Sequence, residues 1–139
     1  GTLLGLTRGS TKAHITRAVL EGVANRGADL VEAAEEDTGL TLATLRIDGG
    51  MSVNPTFVQA LANATGRTVE TATEADSTTL GAAYLAGVAT GIWPDLSTAA
   101  SETSPRSIVD PNAEVDRDKW KDAIGRSGEW YPELSGIKF

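Results

Sequence analysis

Residues 45–54 carry the feature that most limits what this chain can fold into. Their sequence, Leu-Arg-Ile-Asp-Gly-Gly-Met-Ser-Val-Asn, begins with the alternation of a strand and then runs into two glycines. Glycine lacks a Cβ, so Gly49 and Gly50 let the backbone turn sharply and admit a ligand against the main chain. Asn54 and Pro55 then open a helix, whose free N–H groups favour a polar or anionic ligand. This order is typical of nucleotide pockets in α/β proteins.

Composition narrows the class of protein. With 139 residues, 40% of them hydrophobic and 22% charged, the chain is expected to form one soluble globular domain. A net charge of −7 argues against nucleic-acid binding, and no apolar run is long enough to predict a membrane span. The lack of cysteine excludes disulfides and thiolate chemistry and fits a cytoplasmic location. Because the chain begins with glycine rather than methionine, we expect a fragment or a processed chain.

Hydrophobic spacing and helix-end residues predict the secondary structure. Helices are expected over 12–37, 54–66, 77–90 and 114–126, and strands over 44–48 and 68–72. About 20 residues and a helix separate the two strands, which predicts a parallel pair with a right-handed crossover. A third strand is expected at 2–6, and a polar connector at 97–111. Two or three strands are few for a sheet, so the chain is predicted to be the C-terminal part of a larger α/β domain.

Several residues carry more specific expectations. His14, the only histidine, is expected to cap or pack the first helix rather than act as a base. Gly22 and Gly27 are expected where another backbone packs close to that helix. Asp48 could be catalytic, but a hydrogen bond to the amides of the turn is the favoured interpretation. The helix over 77–90 is rich in glycine and alanine, which predicts a buried helix in close contact with a sheet or another helix.

The C-terminal region and one loop complete these expectations. Trp120, Ala123 and Ile124 have helical spacing and are expected to form one apolar face. Trp130 and Tyr131 are expected to pack against the body of the protein. In the loop before the first helix, Arg8 could meet a phosphate, although a surface salt bridge explains it equally well.

Several strong catalytic motifs are missing from the sequence. It contains no Walker phosphate loop, no Gly-x-Gly-x-x-Gly fingerprint, no Gly-x-Ser-x-Gly elbow and no His-Glu-x-x-His helix. The sequence therefore offers no recognised catalytic or metal-binding motif.

Three motifs in order give the chain a resemblance to a known family. Residues 1–21, with Gly1-Thr-Leu-Leu-Gly5-Leu6 and His14-Ile15-Thr-Arg-Ala18, resemble a signature of the carbohydrate kinases that include glycerol kinase, xylulokinase and gluconokinase. The stretch from Asp48 to Asn54 resembles the adenosine-binding turn of that family, which is shared with actin-like ATPases. Residues 79–87 are similar to the small-residue helix that follows the turn. Within the family, Leu-Thr-Arg-Gly at 6–9 and Asp48 lean toward glycerol kinase.

The resemblance implies an α/β fold that forms part of an actin-like (ribonuclease H-like) ATPase domain, with parallel strands and packed helices. Residues 1–96 would form the C-terminal part of the ATP-binding domain, and 97–139 a connector and a final helix. ATP or ADP would bind at the turn, with Gly50 and Asn54 at the adenine and ribose end and Gly49 and Ser52 shaping it. Mg²⁺ would accompany the ATP, with its site outside this chain.

The resemblance also implies a reaction. ATP would phosphorylate a polyol or sugar, with glycerol favoured by the motifs above, and the intact protein would be a homo-oligomer. The base and the acceptor pocket of this family lie upstream, so the chain alone is predicted to be inactive.

Three alternatives stay open at this point. The acceptor could be a pentulose or gluconate, the chain could be a non-catalytic actin-like nucleotide-binding module, or the glycine turn could be merely a turn.

Overall fold

The computed structural model describes residues 1–73 and 76–128. The first element is a long helix, α1 (Lys12–Thr38), which matches the expected range. Its N-cap is Thr11, and His14 accepts a hydrogen bond from the Thr11 backbone N–H through Nδ1 at 3.1 Å. This reciprocal capping box satisfies N–H groups that the first turn leaves free, so the expected capping role of His14 is confirmed. Gly39 ends α1 in the left-handed conformation, with φ of 68°.

The glycine turn joins the first two strands through a helix. Strand β1 (Thr44–Ile47) leads into a 3-10 turn at Gly50–Val53 and then into α2 (Pro55–Thr65), which ends at Gly66. Strand β2 (Thr68–Thr71) follows and pairs with β1 in parallel, with Thr44 opposite Thr68. The predicted parallel pair and the predicted intervening helix are therefore confirmed.

Helices α1 and α2 pack together over one face of the sheet. Alanines of α1 and the apolar stripe of α2 meet β2 in a small core of buried residues: Ala24, Val58, Leu61, Ala62 and Val69. Gly27 lets the helices approach closely, since a Cβ there would lie 2.9 Å from Leu61 Cδ1. Close packing is therefore found at Gly27, but the neighbour is a side chain and not the expected backbone. At Gly22 the expectation is wrong, because a Cβ would meet nothing within 4 Å.

The third strand lies at the other end of the chain from its expected position. Residues 2–6 are exposed and form no strand, so that prediction is wrong. Instead, β3 (Ser107–Val109) adds antiparallel to β2 and gives the sheet order β1-β2-β3. The predicted connector over 97–111 was also wrong in part, because it contains β3 and most of a short helix, α4 (Leu96–Ser101), capped by Asp95.

Helix α3 (Ser77–Ala89) has the expected bounds within one residue but not the expected burial. Only Gly87 is buried, where it makes room for the ring of Trp93, while Leu85 is 59% exposed. Among the described elements α3 contacts mainly α4. The small-residue surface is present, but the described part of the chain does not cover it.

The last described helix is α5 (Arg117–Ser127), which starts three residues later than expected at an Asp116 cap. Trp120 and Ala123 are half-buried and Ile124 is exposed, so the apolar face is only partly covered. Trp130 and Tyr131 lie outside the described residues. None of the helices in residues 1–73 and 76–128 is long and apolar enough to cross a bilayer.

Candidate nucleotide-binding turn

Gly49 gives the turn its shape. Its φ of 84° and ψ of −179° belong to a region of backbone conformation that is essentially limited to glycine. The residue lies between the end of β1 and the 3-10 turn, so it redirects the chain at the carboxyl end of a parallel strand. Ligands of α/β proteins bind at this edge of the sheet.

Ser52 fixes the turn from inside. It is only 5% exposed, and its Oγ donates a hydrogen bond to the carbonyl oxygen of Gly49 at 2.7 Å. The Ser52 backbone N–H donates to the same oxygen at 3.1 Å. The Gly49 carbonyl oxygen thus accepts two bonds from Ser52, and the hydroxyl proton of Ser52 is engaged within the protein. Its predicted part in shaping the turn agrees with this geometry.

Asn54 joins the turn to α2. Its Oδ1 accepts hydrogen bonds from the backbone N–H groups of Thr56 at 3.0 Å and Phe57 at 3.2 Å. These are orphan donors of the first helical turn, so Asn54 is the N-cap of α2, with Pro55 at the first position. No group of residues 1–73 or 76–128 accepts a bond from its Nδ2 group. The side chain thus caps the helix with its oxygen and leaves two donors for a ligand.

Gly50 offers bare main chain between these two residues. It is exposed, its φ is not positive, and a Cβ built on it would meet nothing within 4 Å. Neither backbone strain nor packing against the described residues therefore requires glycine at this position.

A cavity opens on the other side of the turn. Its volume is about 360 Å³, and it lies between the carboxyl ends of β1 and β2 and helices α3 and α4. Asp48, Thr73, Ser77 and Leu80 are among its lining residues, whereas Gly49, Gly50, Ser52 and Asn54 are not. The predicted ligand surface at the turn is thus a separate, open surface.

The expectation for Asp48 is wrong. Its side chain is exposed, and within the described ranges it accepts no hydrogen bond from the amides of the turn. Gly49 O, rather than a carboxylate, accepts the bonds that close the turn. Asp48 therefore faces the cavity as a free acidic group. Arg8 is also exposed, in the loop before α1.

The sequence did not reveal a cluster of charged and polar groups between α1 and α5. Arg117 is 16% exposed, and its guanidinium donates to Glu32 Oε1 at 3.0 Å, Asp29 Oδ1 at 2.5 Å and Asn25 Oδ1 at 2.8 Å. The indole N–H of Trp120 donates to Asp29 Oδ1 at 3.1 Å. The only sequence signal is the spacing of Asn25, Asp29 and Glu32 along one side of α1, which reads equally well as a solvated face.

The cluster changes the acidity of its carboxylates. Burial raises the pKa of Asp29, but hydrogen bonds from Arg117 and Trp120 outweigh it, so the pKa lies below the ordinary value of 3.8. Hydrogen bonds from Arg117 and Lys121 lower the pKa of Glu32 from its ordinary value of 4.5. Both groups are therefore held in the ionised form that Arg117 requires.

The fold and the turn together define part of an actin-like ATPase fold. A model of the C-terminal domain of the FGGY family of carbohydrate kinases matches residues 1–90. This chain belongs to that family. The expected resemblance is confirmed, including the likeness to glycerol kinases.

Two relatives illustrate this likeness. The glycerol kinase of Halorhodospira halophila is 42% identical over 98% of this chain, and that of Deinococcus radiodurans is 42% identical over 94% of it. The chain spans only 28% and 27% of the length of these two relatives. The comparison therefore concerns about a quarter of those proteins.

Solved structures agree with the sequence comparison. Plasmodium falciparum glycerol kinase, solved with ADP, superposes with a TM-score of 0.76 and 29% identity over 99% of this chain and 27% of its own. Gluconate kinase from Lactobacillus acidophilus gives a TM-score of 0.67 and 26% identity over 97% of this chain and 27% of its own. Xylulose kinase from Rhodospirillum rubrum gives 0.77 at 20% identity over 96% of this chain and 28% of its own, which supports the fold alone.

Proposed function

We propose that this chain is the ATP-binding C-terminal portion of an ATP-dependent polyol kinase whose acceptor is glycerol. The reaction is ATP + glycerol to ADP + glycerol 3-phosphate. Support comes from the two glycerol kinases that are 42% identical and from the similarity to a glycerol kinase solved with ADP. The nucleotide-binding residues in this proposal are Gly49, Gly50, Ser52 and Asn54.

The observation that carries the proposal is the open surface between Gly50 and Asn54. A purine can lie flat on the main chain at Gly50 because no Cβ stands in its way. The Nδ2 group of Asn54 can donate to a ring nitrogen or to the ribose, while Oδ1 keeps the cap of α2. Gly49 and Ser52 hold the backbone in the shape that this contact needs.

The remaining parts of the reaction lie in the rest of the protein. Phosphoryl transfer needs a base at the acceptor hydroxyl, Mg²⁺ on the phosphates and loops that hold the phosphates. We assign these parts, and the acceptor pocket, to segments outside this chain, and we expect no turnover from the chain alone. A cytoplasmic location and a homo-oligomeric parent remain predictions from the sequence.

Substitutions at the turn can separate ligand binding from folding. Asn54→Asp keeps an oxygen at the cap, where Asp and Asn are equally good, but removes the Nδ2 donors. Gly50→Val adds a side chain where the protein leaves space. In the intact kinase, each variant should weaken ADP and ATP binding by about tenfold or more while its thermal midpoint changes little.

A matched control for these variants is Gly125→Ala in α5, another glycine whose Cβ would meet nothing within 4 Å. Its nucleotide affinity should equal that of the unmodified protein. Calorimetric titration with ADP gives the affinities, and differential scanning calorimetry gives the midpoints. Unchanged nucleotide affinity in Gly50→Val would rule out the proposed binding surface.

A second candidate is a kinase of the same family with another acceptor. The similarity to the gluconate kinase and a xylulose kinase of Lactobacillus acidophilus, each at 26% identity, favours this alternative over an unrelated activity. A panel of glycerol, pentuloses and gluconate, assayed for ADP release with the intact protein, separates the candidates. Nucleotide binding without turnover on any acceptor would instead indicate a non-catalytic actin-like module.

A further inference from the structure

Residues 107–127, here called the C-terminal strap, cross three elements of the fold in succession. Strand β3 pairs with β2, and Val109 packs against the core beside Val69. The following loop is fixed to α2, since Asn63 Oδ1 accepts from the backbone N–H of Asn112 at 2.8 Å. Helix α5 then lies against α1. The strap lies beyond residue 90, where the match to the family model ends.

The strap is attached differently at its two ends. Its first part is joined by backbone pairing and by an apolar contact at Val109. Its last part, α5, has no buried residue and depends on side-chain hydrogen bonds to α1. Because no residue of α5 is fully buried, this end is expected to open at a lower free-energy cost.

Arg117 is the centre of the contact between α5 and α1. Its guanidinium reaches Asn25, Asp29 and Glu32, which lie one helical turn apart on α1, and it also donates to the Asn25 carbonyl at 3.1 Å. Around it, Lys121 pairs with Glu32 at 3.0 Å and Arg26 pairs with Asp29 at 2.8 Å. A planar fork with five donors suits this set of acceptors, and a lysine does not reproduce it.

We propose that α5 can separate from α1 as a unit while residues 1–113 keep their fold. The contacts of Arg117 hold the helix in the closed state. Asn63 holds the loop at Asn112 and Ala113, and the strap pivots over 114–116. Release uncovers the acidic side of α1 at Asp29 and Glu32. In this proposal the closed state depends on the ionic cluster around Arg117.

The indole N–H groups of two tryptophans report on the two parts separately. Trp120 donates to Asp29 across the contact between α5 and α1, whereas Trp93 donates to Glu102 at 3.2 Å in the α3–α4 region. In Arg117→Ala, exchange of the Trp120 indole proton with water should accelerate at least about tenfold, because Arg117 donates four of the hydrogen bonds that join α5 to α1. The Trp93 indole and the α1 amides should keep their exchange rates.

Arg126→Ala is the matched control. Arg126 is on the same helix and pairs with Asp122 at 2.8 Å, but both side chains are largely exposed. This variant should leave the Trp120 exchange rate unchanged. Asp29→Asn, which keeps the side-chain shape and removes the charge, should accelerate Trp120 exchange as Arg117→Ala does.

Three results would overturn the proposal. The first is a Trp120 exchange rate that stays the same in Arg117→Ala, which would mean that other contacts hold α5. The second is equal loss of protection at Trp120, Trp93 and the α1 amides, which would mean that α5 does not open separately. The third is an equal effect of Arg126→Ala, which would reduce the cluster to a general charge effect.

Discussion

The glycine turn and the C-terminal strap are both held by side-chain hydrogen bonds, but these bonds span very different lengths of chain. In the turn, Ser52 and Asn54 bond to groups two or three residues away. In the strap, the backbone N–H of Asn112 donates to Asn63, which lies 49 residues earlier in the chain. Arg117 donates to residues of α1 that lie 85 to 92 positions earlier. The turn can therefore form from its own residues, whereas the strap can close only after α1 and α2 are in place.

This comparison predicts that the turn depends on the conformation of one residue. Gly49→Val should lower the free energy of unfolding by about 3 kcal/mol, since a β-branched residue is strained at a φ of 84°. Urea unfolding measures the change. Gly50→Ala, one residue along and free of contacts, should change it by less than about 0.5 kcal/mol. Equal effects of the two substitutions would contradict the assigned difference between the glycines.

The strap should instead respond to an acceptor far away in sequence. Asn63→Ala removes the oxygen that binds the N–H groups of Asn112 and Ala113, at a cost of about 1 kcal/mol. Amide exchange at those two residues should accelerate, while exchange at residues 49–57 stays the same. Asn112→Ala is the control, because its backbone N–H still donates. A global loss of protection would show that the loop and the turn are not independent.

Acid should weaken the contact of the strap with α1 and leave the hydrogen bonds of the turn unchanged. Asp29 and Glu32 have folded pKa values below their ordinary ones, so the stability they add is present above about pH 4.5 and is lost as the pH falls through the folded values. Among residues 1–73 and 76–128, the other charged groups at this contact are Arg26 and Glu36 on α1 and Arg117 and Lys121 on α5.

The measurement is Trp120 indole exchange followed from pH 6 downward, with the chain otherwise unmodified. Exchange at Trp120 should accelerate in acid before protection is lost at the amides of Ser52 and Asn54, whose side chains do not titrate. Asp29→Asn should reduce the pH dependence. If the turn loses protection at the same pH as Trp120, the two regions unfold together and the comparison fails.

The elements that sequence reasoning found are those with local causes. The start of α1, the helix start at Asn54 and the helix stop at Gly66 each follow from contacts within a few residues. Asn54 also belongs to the candidate site, whose residues were predicted from the resemblance of Asp48 to Asn54 to an adenosine-binding turn and remain a prediction. The parallel pairing of β1 and β2 also followed, because the length of the intervening segment limits the connection.

The elements that sequence reasoning missed have distant causes. β3 has only three residues, and Ser-Ile-Val becomes a strand through its pairing with β2. Residues 2–6 are equally apolar but have no strand beside them among the described residues. Arg117 reads as one charged residue among many, since its partners lie on a helix that the sequence separates from it by more than 80 residues.

The sheet has two outer strands, β1 and β3, and neither has a second neighbour among the described residues. Antiparallel β3 covers the outer edge of β2, while β1 has no neighbour on its other side among the described residues. A strand that joined along β1 would lie directly before Gly49 and Gly50. The pairing between β1 and that strand would end at the proposed adenine surface. A shift of the added strand would therefore change the contacts of a bound nucleotide.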